Sequence, residues 1–552
     1  MPTMQSDLQK ILLEKRGFTD PNEIEKYLHP NYDRDMHDPL LMHDMERAIV
    51  RFFEAIESKE KIAIYADYDC DGIPGAVIAH DLLKKIGYEH FIVYIPDRHD
   101  EGYGLNKDAI DDFMKNDVKL IITIDLGISD HEDILYAESN NIDVIVTDHH
   151  ISHETLPKAF AIVNPKIGDT YPEPMLCGAG VMFKFVQAFL FKYGDYFSIK
   201  KGWEKWLLDM AGLATLSDMV PLVGENRVIA YFGMHVLRKS PRPGLTQLLR
   251  LLKIDQRTIT EDDITFMVTP RINAASRMDS PMRAFELLSE TDVVKAGTLA
   301  THLSKINDER KVLVAHIMKE VKHTLSEREI GPVIVIGNPS WRVGVLGIVA
   351  GKICEEYERP VFVWGRQGDG DEAILKGSCR SDGSINVVTL MEEAREHFAD
   401  YGGHELAGGF SVKPEAIHTL EEKLIDIFHT HKKDTNEKTH HIDTELGLSH
   451  VNESVSKIIE SMQPFGLGNP KPTFLFPNVQ IKKTKQFGKE KNHLEIIVRD
   501  DSGERTAISF FADSASFSKV IEENDTAQLV ATLEKSFFAG RTTFRLRIVD
   551  IL

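Results

Sequence analysis

Short apolar runs, rich in β-branched residues and without apolar–polar alternation, recur through residues 46–295, at 62–66, 92–95, 120–124, 144–147 and 160–163. Such runs predict strands buried on both faces, and the helical patterns between them predict a parallel sheet covered on each side by helices. Residues 1–45 are polar and mainly helical in pattern, a lead-in to this region. From 296 to 328 a charged, helix-favouring stretch keeps apolar residues near helical spacing and has no glycine or proline after Gly297. It predicts one long helix joining two lobes, since too few heptads are present for a coiled coil. A second α/β unit occupies 329–432, with strands at 333–336 and 361–364. The polar stretch from His429 to His441 reads as a linker. Residues 438–552 then alternate in β fashion over many short runs, the pattern of a small OB-type barrel. The expected fold class is α/β: two α/β lobes joined by a long helix, plus a C-terminal OB-like β-barrel.

The residues just past the strand runs carry candidate chemistry. Asp67-Tyr68-Asp69-Cys70-Asp71-Gly72 comes after the first run, Asp125 after the third and Asp148-His149-His150 after the fourth. Ligands of open α/β sheets bind beyond the carboxyl ends of the strands, so three strands deliver carboxylates and imidazoles to one edge. Asp218, ending the apolar helical pattern before Met219-Val220-Pro221, is a fourth location. Packed carboxylates resist burial unless something positive sits between them, and the simplest counter-charge is a pair of divalent ions. Oxygen donors with one or two imidazoles suit Mn²⁺ or Mg²⁺ better than zinc or copper. Two such ions about 3.5–4 Å apart activate a water and stabilise the leaving oxygen in phosphate ester cleavage. Any one aspartate at a strand–helix junction is as easily a helix cap; the set taken together is not. Spaced by two, Asp67, Asp69 and Asp71 would face one way on an extended strand end. His149 and His150, being adjacent, would face opposite ways, one for metal and the other for the phosphate. Cys70 should alternate away from Asp69 and Asp71 and is not expected to be a ligand.

Composition mainly excludes. At 552 residues the chain exceeds one core, so three or four domains are expected. No run approaches the roughly 18 apolar residues of a membrane span. Met1 to Gln9 is polar and lacks an apolar signal core, which points to the cytoplasm. The cysteines Cys70, Cys177, Cys354 and Cys379 lie far apart with no C-x-x-C pair, which argues against a zinc ribbon or a disulfide framework. A net charge of −21 argues against a protein that coats DNA non-specifically. It leaves room for a nucleic-acid enzyme whose basic groups line a single groove. Candidates for phosphate contact are the glycine-rich segment Gly402–Gly409, whose backbone N–H groups an anion can approach, Ser378 and Arg380 after a strand-like run, and Arg277. In the last domain Lys482, Lys483, Lys485, Phe487, Lys489 and Lys491, and later Phe537, Phe538, Arg541, Phe544 and Arg545, interleave cations and aromatics as single-strand-binding grooves do. A half-buried barrel with solvated lysines gives the same pattern.

Several long motifs, in order along nearly the whole chain, resemble the DHH phosphoesterase superfamily and, more narrowly, its RecJ family of single-strand-specific 5′→3′ DNA exonucleases. They are Asp67–Gly72, Arg98 with Glu101-Gly102-Tyr103-Gly104-Leu105, Asp125-Leu126-Gly127-Ile128-Ser129, Asp148-His149-His150, Asp218-Met219-Val220-Pro221-Leu222, Pro270–Arg277, Gly344–Ala350, Gly402–Gly409 of the associated DHHA1 domain, and Pro464–Pro470. The resemblance implies metal binding by Asp69, Asp71, Asp125, His149 and Asp218, with Asp67 close by and His150 near the scissile phosphate. It implies that Arg98, Arg277, Ser378, Arg380 and His404 hold DNA phosphates at the 5′ end. In the OB-like domain Lys485, Phe487, Lys489, Phe538 and Arg541 are the candidate groove. Single-stranded DNA is the implied substrate, with a single-strand-binding protein and a RecQ-type helicase as protein partners in repair and recombination, and no membrane. Departures from the family pattern are small: Leu126 stands for a small or polar residue, Cys70 for alanine and Ser276 for glycine. The chain stops soon after the OB-like region, so the further C-terminal module of longer relatives is not expected. The rival readings are an RNA or short-oligonucleotide phosphodiesterase of the superfamily and an inactive replication scaffold. A scaffold has no use for clustered carboxylates.

Overall fold

The computed structural model describes residues 4–98, 101–152, 155–367, 374–432, 441–488, 491–538 and 541–552. They form two compact units, one of Pro39–Asp218 with Gly233–Glu437, the other of Met1–Asp38, Met219–Phe232 and Lys438–Leu552.

In the first unit the apolar runs become β1 (Lys61–Ala66), β2 (Phe91–Tyr94), β3 (Val118–Ile124), β4 (Asp143–Thr147) and β5 (Ala161–Val163). They form an all-parallel sheet in the order β2-β1-β3-β4-β5. One face packs Ala63, Tyr65, Ile121 and Val144 against Phe113 and Ile134 of flanking helices. On the other lies the Gly72–Lys85 helix, which comes directly after β1. A Cβ on Gly75 would lie 2.5 Å from Ile124 Cγ2, so only glycine lets this helix sit that close to β3. The chain leaves β1 for β2 on one side and returns as β3 on the other, so the strand order reverses between β1 and β3. That crevice is where open α/β sheets bind ligands, and Asp67 and Asp125 lie just past its two strands.

The long helix runs over Val293–Ser326. Beyond it, β6 (Ile334–Gly337), β7 (Val361–Gln367), β8 (Ile374–Arg380), β9 (Phe398–His404) and β10 (Ala407–Val412) form a mixed sheet in the order β6-β7-β8-β10-β9. Val345, Leu346, Val349 and Ile353 of the Val343–Tyr357 helix cover Val361 and Val363. Phe362, Cys379 and Phe410 belong to a separate core with Leu390, Met391 and Leu424. The glycine-rich segment, whose composition suits an anion contact and a glycine turn equally, forms the β9–β10 hairpin, with Ala407 opposite His404. Gly403 has φ +148°, and a Cβ there would meet Ala407 O and Gly408 Cα at 2.5 Å. The close approach of two strands explains this glycine without any ligand.

In the second unit β11 (Thr444–Glu445) precedes β12 (Thr473–Phe487), β13 (His493–Asp500), β14 (Gly503–Phe510), β15 (Thr526–Phe538) and β16 (Arg541–Ile551). The order β12-β13-β14-β16-β15 closes through a β12–β15 pairing, with β14 and β16 parallel, giving a five-stranded OB barrel. Phe474, Phe476, Ile496 and Leu546 fill it. The N-terminal helices Met4–Lys15 and Pro21–Leu28 put Leu8, Leu12 and Tyr27 into that same core. Arg16 pairs with Asp443 at 2.9 Å, and the Tyr27 hydroxyl donates to Asn469 Oδ1 at 2.7 Å. Among the described residues no helix is long and apolar enough to cross a membrane.

Candidate active site

The acidic segment after β1 does not continue the strand, so alternation does not aim its side chains. Asp69 turns the chain, its Oδ1 accepting from Asp71 N at 2.8 Å and Gly72 N at 3.4 Å. Asp71 sits at the start of the Gly72–Lys85 helix with α-region torsions, and its two oxygens accept from Gly178 N (2.6 Å) and Ala179 N (2.8 Å) at the N-terminus of the Gly178–Tyr193 helix. Both helix starts favour negative charge. Asp125 lies after β3 in the left-handed region, φ 64°, which aspartate tolerates better than most residues. His149 and His150 also depart from expectation: their ring centroids are 4.5 Å apart, and both lie within reach of Asp125, because the chain after β4 is no longer extended. Asp218 caps the C-terminus of the Leu208–Ser217 helix.

These side chains converge as two adjoining ligand sets. Asp67, Asp69 and Asp125 offer oxygens within 4.8 Å of one another, as do the donor atoms of Asp71, His149 and Asp218. His149 Nε2 lies 3.2 Å from Asp125 Oδ1, 3.8 Å from Asp71 and 3.9 Å from Asp218. Burial holds the His149 pKa below its ordinary value, leaving a neutral imidazole with a lone pair to give. Burial, then neighbouring carboxylates, push Asp67 and Asp125 well above theirs. Oδ1 of each is buried without a hydrogen-bond partner. Uncompensated, buried, mutually repelling oxygens with one or two imidazoles fit hard divalent cations such as Mn²⁺ or Mg²⁺. Cys70 is no part of either set: burial pushes its thiol up to about 12.

The same crowding bears on stability. Burial, then Asp71 and Asp69, push Asp218 up to about 9, against about 3.9 for a free aspartate. The metal-free fold therefore keeps a proton that the unfolded chain has lost, and its stability falls as pH rises from about 4 through about 9. Melting temperatures in EDTA should drop between pH 5 and pH 9, and added Mn²⁺ should raise them most at pH 9. A flat EDTA series would contradict the convergence.

Several contributors were not legible as such. Asp148 is buried, and its Oδ1 accepts from His149 N, His150 N and, at 2.8 Å, His150 Nδ1. It thereby fixes the His150 ring with Nε2 free to face a ligand. Burial opposes the charge on His150, but Asp148 outweighs it and the pKa rises. Tyr103 donates to Asp125 O at 3.1 Å and lies edge to face with His150. Lys166 Nζ donates to His149 O. Gly178 has a positional reason, since a Cβ there would lie 2.5 Å from Asp125 Cβ. Gly178→Ala should displace the Gly178–Tyr193 helix from Asp71 and Asp125 and lower activity at least about 10-fold, overpacking of this kind costing about 1–3 kcal/mol. Wild-type turnover in Gly178→Ala would refute that geometry.

A group of arginines shares the electrostatic field of the carboxylates. Arg98 lies 4.8 Å over the Tyr68 ring, and its charge is felt by Asp67, Arg277 and Arg380. Arg277 donates to Gly344 O at 3.1 Å; burial, then Arg98 and Arg310, push its pKa down to about 9. Ser378 and Arg380 share a face of β8, and a Cβ on Gly347 would lie 3.3 Å from Arg380 Nη2 and 3.5 Å from Ser378 Oγ. His404 is exposed on β9, level with Arg380 through Ala407 and about 10 Å across the sheet. In the barrel, Lys485 is exposed and Phe487 packs 5.2 Å from His493. Lys489 lies outside the described residues, as do the side chains of Phe538 and Arg541. The structure adds Phe510 and Phe511 around His493, with Arg547 over the Phe510 ring, an aromatic patch the spacing did not reveal.

Three family models match: the DHH family, N-terminal domain, over 61–215; the DHHA1 domain over 330–430; and the RecJ OB domain over 442–550. The single-stranded-DNA-specific exonuclease RecJ of Bacillus subtilis is 35% identical over 504 residues, covering 90% of this chain, which spans 62% of that protein's length. The Haemophilus influenzae protein of the same name is 29% identical over 562 residues, covering 98% of this chain and 95% of its own. The crystal structure of RecJ in complex with Mn²⁺ from Thermus thermophilus superposes with a TM-score of 0.82 at 23% identity, covering 99% of this chain and 76% of that one. With the three matched regions in order and the acidic motifs gathered at the sheet's switch point, this chain belongs to the RecJ family of DHH–DHHA1 phosphoesterases.

Proposed function

We propose that this protein is a single-strand-specific 5′→3′ DNA exonuclease that hydrolyses phosphodiester bonds with two divalent ions, Mn²⁺ or Mg²⁺, and releases mononucleotides. The observation that carries the reading is the pairing of the ligand sets with the charges of Arg98, Arg277 and Arg380, donors for metals beside cations for phosphates. Asp69 and Asp125, with Asp67, would hold one ion; Asp71, His149 and Asp218 would hold the other. Bound there, the ions supply Lewis-acid activation of a water and stabilise the leaving oxygen. His150, held by Asp148, faces the scissile phosphate and carries a proton for the leaving 3′ oxygen. Arg98, Arg277, Ser378, Arg380 and His404 hold the strand's 5′ phosphate and fix the polarity. Lys485 and Phe487 serve the barrel's grip on single strands.

As domains we infer a helical lead-in over 1–45, a DHH region over 46–295, the connecting helix over 296–328, DHHA1 over 329–432 and the barrel over 438–552. The setting is cytoplasmic DNA repair and recombination, where a single-strand-binding protein and a RecQ-type helicase would supply and clear the substrate. One digestion panel tests the activity: 5′-labelled and 3′-labelled single strands, duplex and RNA, each with Mn²⁺, Mg²⁺ or EDTA. Labelled mononucleotide should appear first from 5′-labelled DNA, and only with metal. Release from the 3′ end, or preference for RNA, would overturn the reading.

A further inference from the structure

The connecting helix carries one buried stripe, with Ala300, Leu303, Val314 and Ile317 at alternating steps of three and four. Its two central positions are polar: Asn307 and Arg310 stand where the spacing calls for apolar residues. Asn307 is fully buried; its Oδ1 accepts from Arg310 Nε at 3.2 Å, while its Nδ2 has no hydrogen-bond partner. Arg310 is half-buried, and among the described residues neither it nor Arg271 forms an ion pair. Arg271, on the Thr269–Met278 helix, donates to Ser304 Oγ at 3.2 Å and to Met267 O at 2.6 Å. Burial, then Arg271, lowers the pKa of Arg310, and Arg310 in turn depresses Arg277. In a chain of net charge −21, the seam thus holds two guanidinium groups and an unsatisfied donor; the exposed Asp308 offsets Arg271, while Arg310 is left facing Arg271 alone. A half-buried guanidinium without a carboxylate of its own calls for an anion.

We propose that Arg310, oriented by Asn307 and backed by Arg271, forms a second phosphate subsite for the DNA strand, separate from that of Ser378 and Arg380. This rests on the nuclease reading. Geometry joins the donors to the catalytic wall: Arg271, bonded to Ser304 of the connecting helix, and Arg277, bonded to Gly344 O, lie on the same Thr269–Met278 helix, and the charges of Arg310 and Arg98 both act on Arg277. Arg380 lies with Ser378 beside Gly347, on β8, and also feels the charge of Arg98.

The test uses the full chain in EDTA, so that binding is read without cleavage. The probes are 5′-phosphorylated fluorescent oligonucleotides, each with one neutral methylphosphonate at a successive linkage, and one strand with a 5′-hydroxyl. Arg310→Met should weaken the unmodified strand about 10-fold and lower the log–log salt slope by about 0.7. One linkage whose neutralisation weakens the wild type should have no further effect in Arg310→Met, and Asn307→Leu should behave alike. Because an apolar residue fits the seam, Arg310→Met should melt no lower than the wild type. A lower melting temperature with equal losses at every linkage would make Arg310 a structural prop and overturn the subsite. Insensitivity confined to the 5′-hydroxyl strand would merge it with the Ser378–Arg380 site, also overturning it. A wild type that binds no single strand would overturn the nuclease reading itself.

Discussion

Asp125→Ala should lower hydrolysis at least about 10²-fold, the loss typical of removing a major transition-state stabiliser. Asp125 completes the Asp67–Asp69 set, and its Oδ1 lies 3.2 Å from His149 Nε2 of the adjoining set, so its removal takes a ligand from one ion position at the edge of the other. The fold should survive. Asp125 Oδ1 accepts no hydrogen bond, and Asp71, Asp69, Asp67 and Asp218 all repel its charge. Deleting it relieves the metal-free state, so the melting temperature in EDTA should hold or rise, while the Mn²⁺-induced increase shrinks. Single-turnover cleavage of a 5′-labelled strand and paired melts in EDTA and Mn²⁺ read both arms. Near-wild-type cleavage in Mn²⁺ would remove Asp125 from the metal assignment.

Arg380→Ala should erase most of the preference for a 5′-phosphate over a 5′-hydroxyl. A charge-assisted hydrogen bond is worth about 1.5–3 kcal/mol, or about 10- to 150-fold in rate. Burial holds the Arg380 guanidinium below its ordinary pKa, and among the described residues it donates to a neutral carbonyl, Cys379 O at 2.7 Å. Ser378 Oγ lies on the same face, in the niche that Gly347 keeps open. A phosphate there gains a cation already largely stripped of water. Rates on matched 5′-phosphate and 5′-hydroxyl strands, for wild type and variant, decide the point. Equal rates on both strands in the wild type would exclude a terminal-phosphate role for Arg380.

Sequence pattern located the strands because burial on both faces removes alternation: the runs at 62–66, 120–124 and 144–147 sit inside β1, β3 and β4. It placed the acidic motifs at one sheet edge for the same reason, since residues that end neighbouring parallel strands end near one another. The helix of 296–328 was readable from its composition and is Val293–Ser326. Local rules failed where the chain bends. Two-residue alternation does not hold past Ala66, where Asp69 turns the backbone, nor past Thr147, where both histidine rings reach Asp125. The Gly402–Gly409 segment suits an anion contact and a glycine turn equally, because glycine content does not distinguish a loop from two strands in tight contact.

Other features depend on partners distant in sequence. Asp71 is oriented by amides of residues 178 and 179, and His150 by Asp148, itself held by Ile128 N. The N-terminal helices share a core with a barrel more than four hundred residues later, which no window of local periodicity contains. The sequence by itself determined the elements and the donor chemistry, because hydrophobic period and residue type are local properties. Tertiary structure alone decided which donors meet, which carboxylates lose their water and which arginines crowd together, because desolvation and charge repulsion act through space between groups the chain order keeps apart.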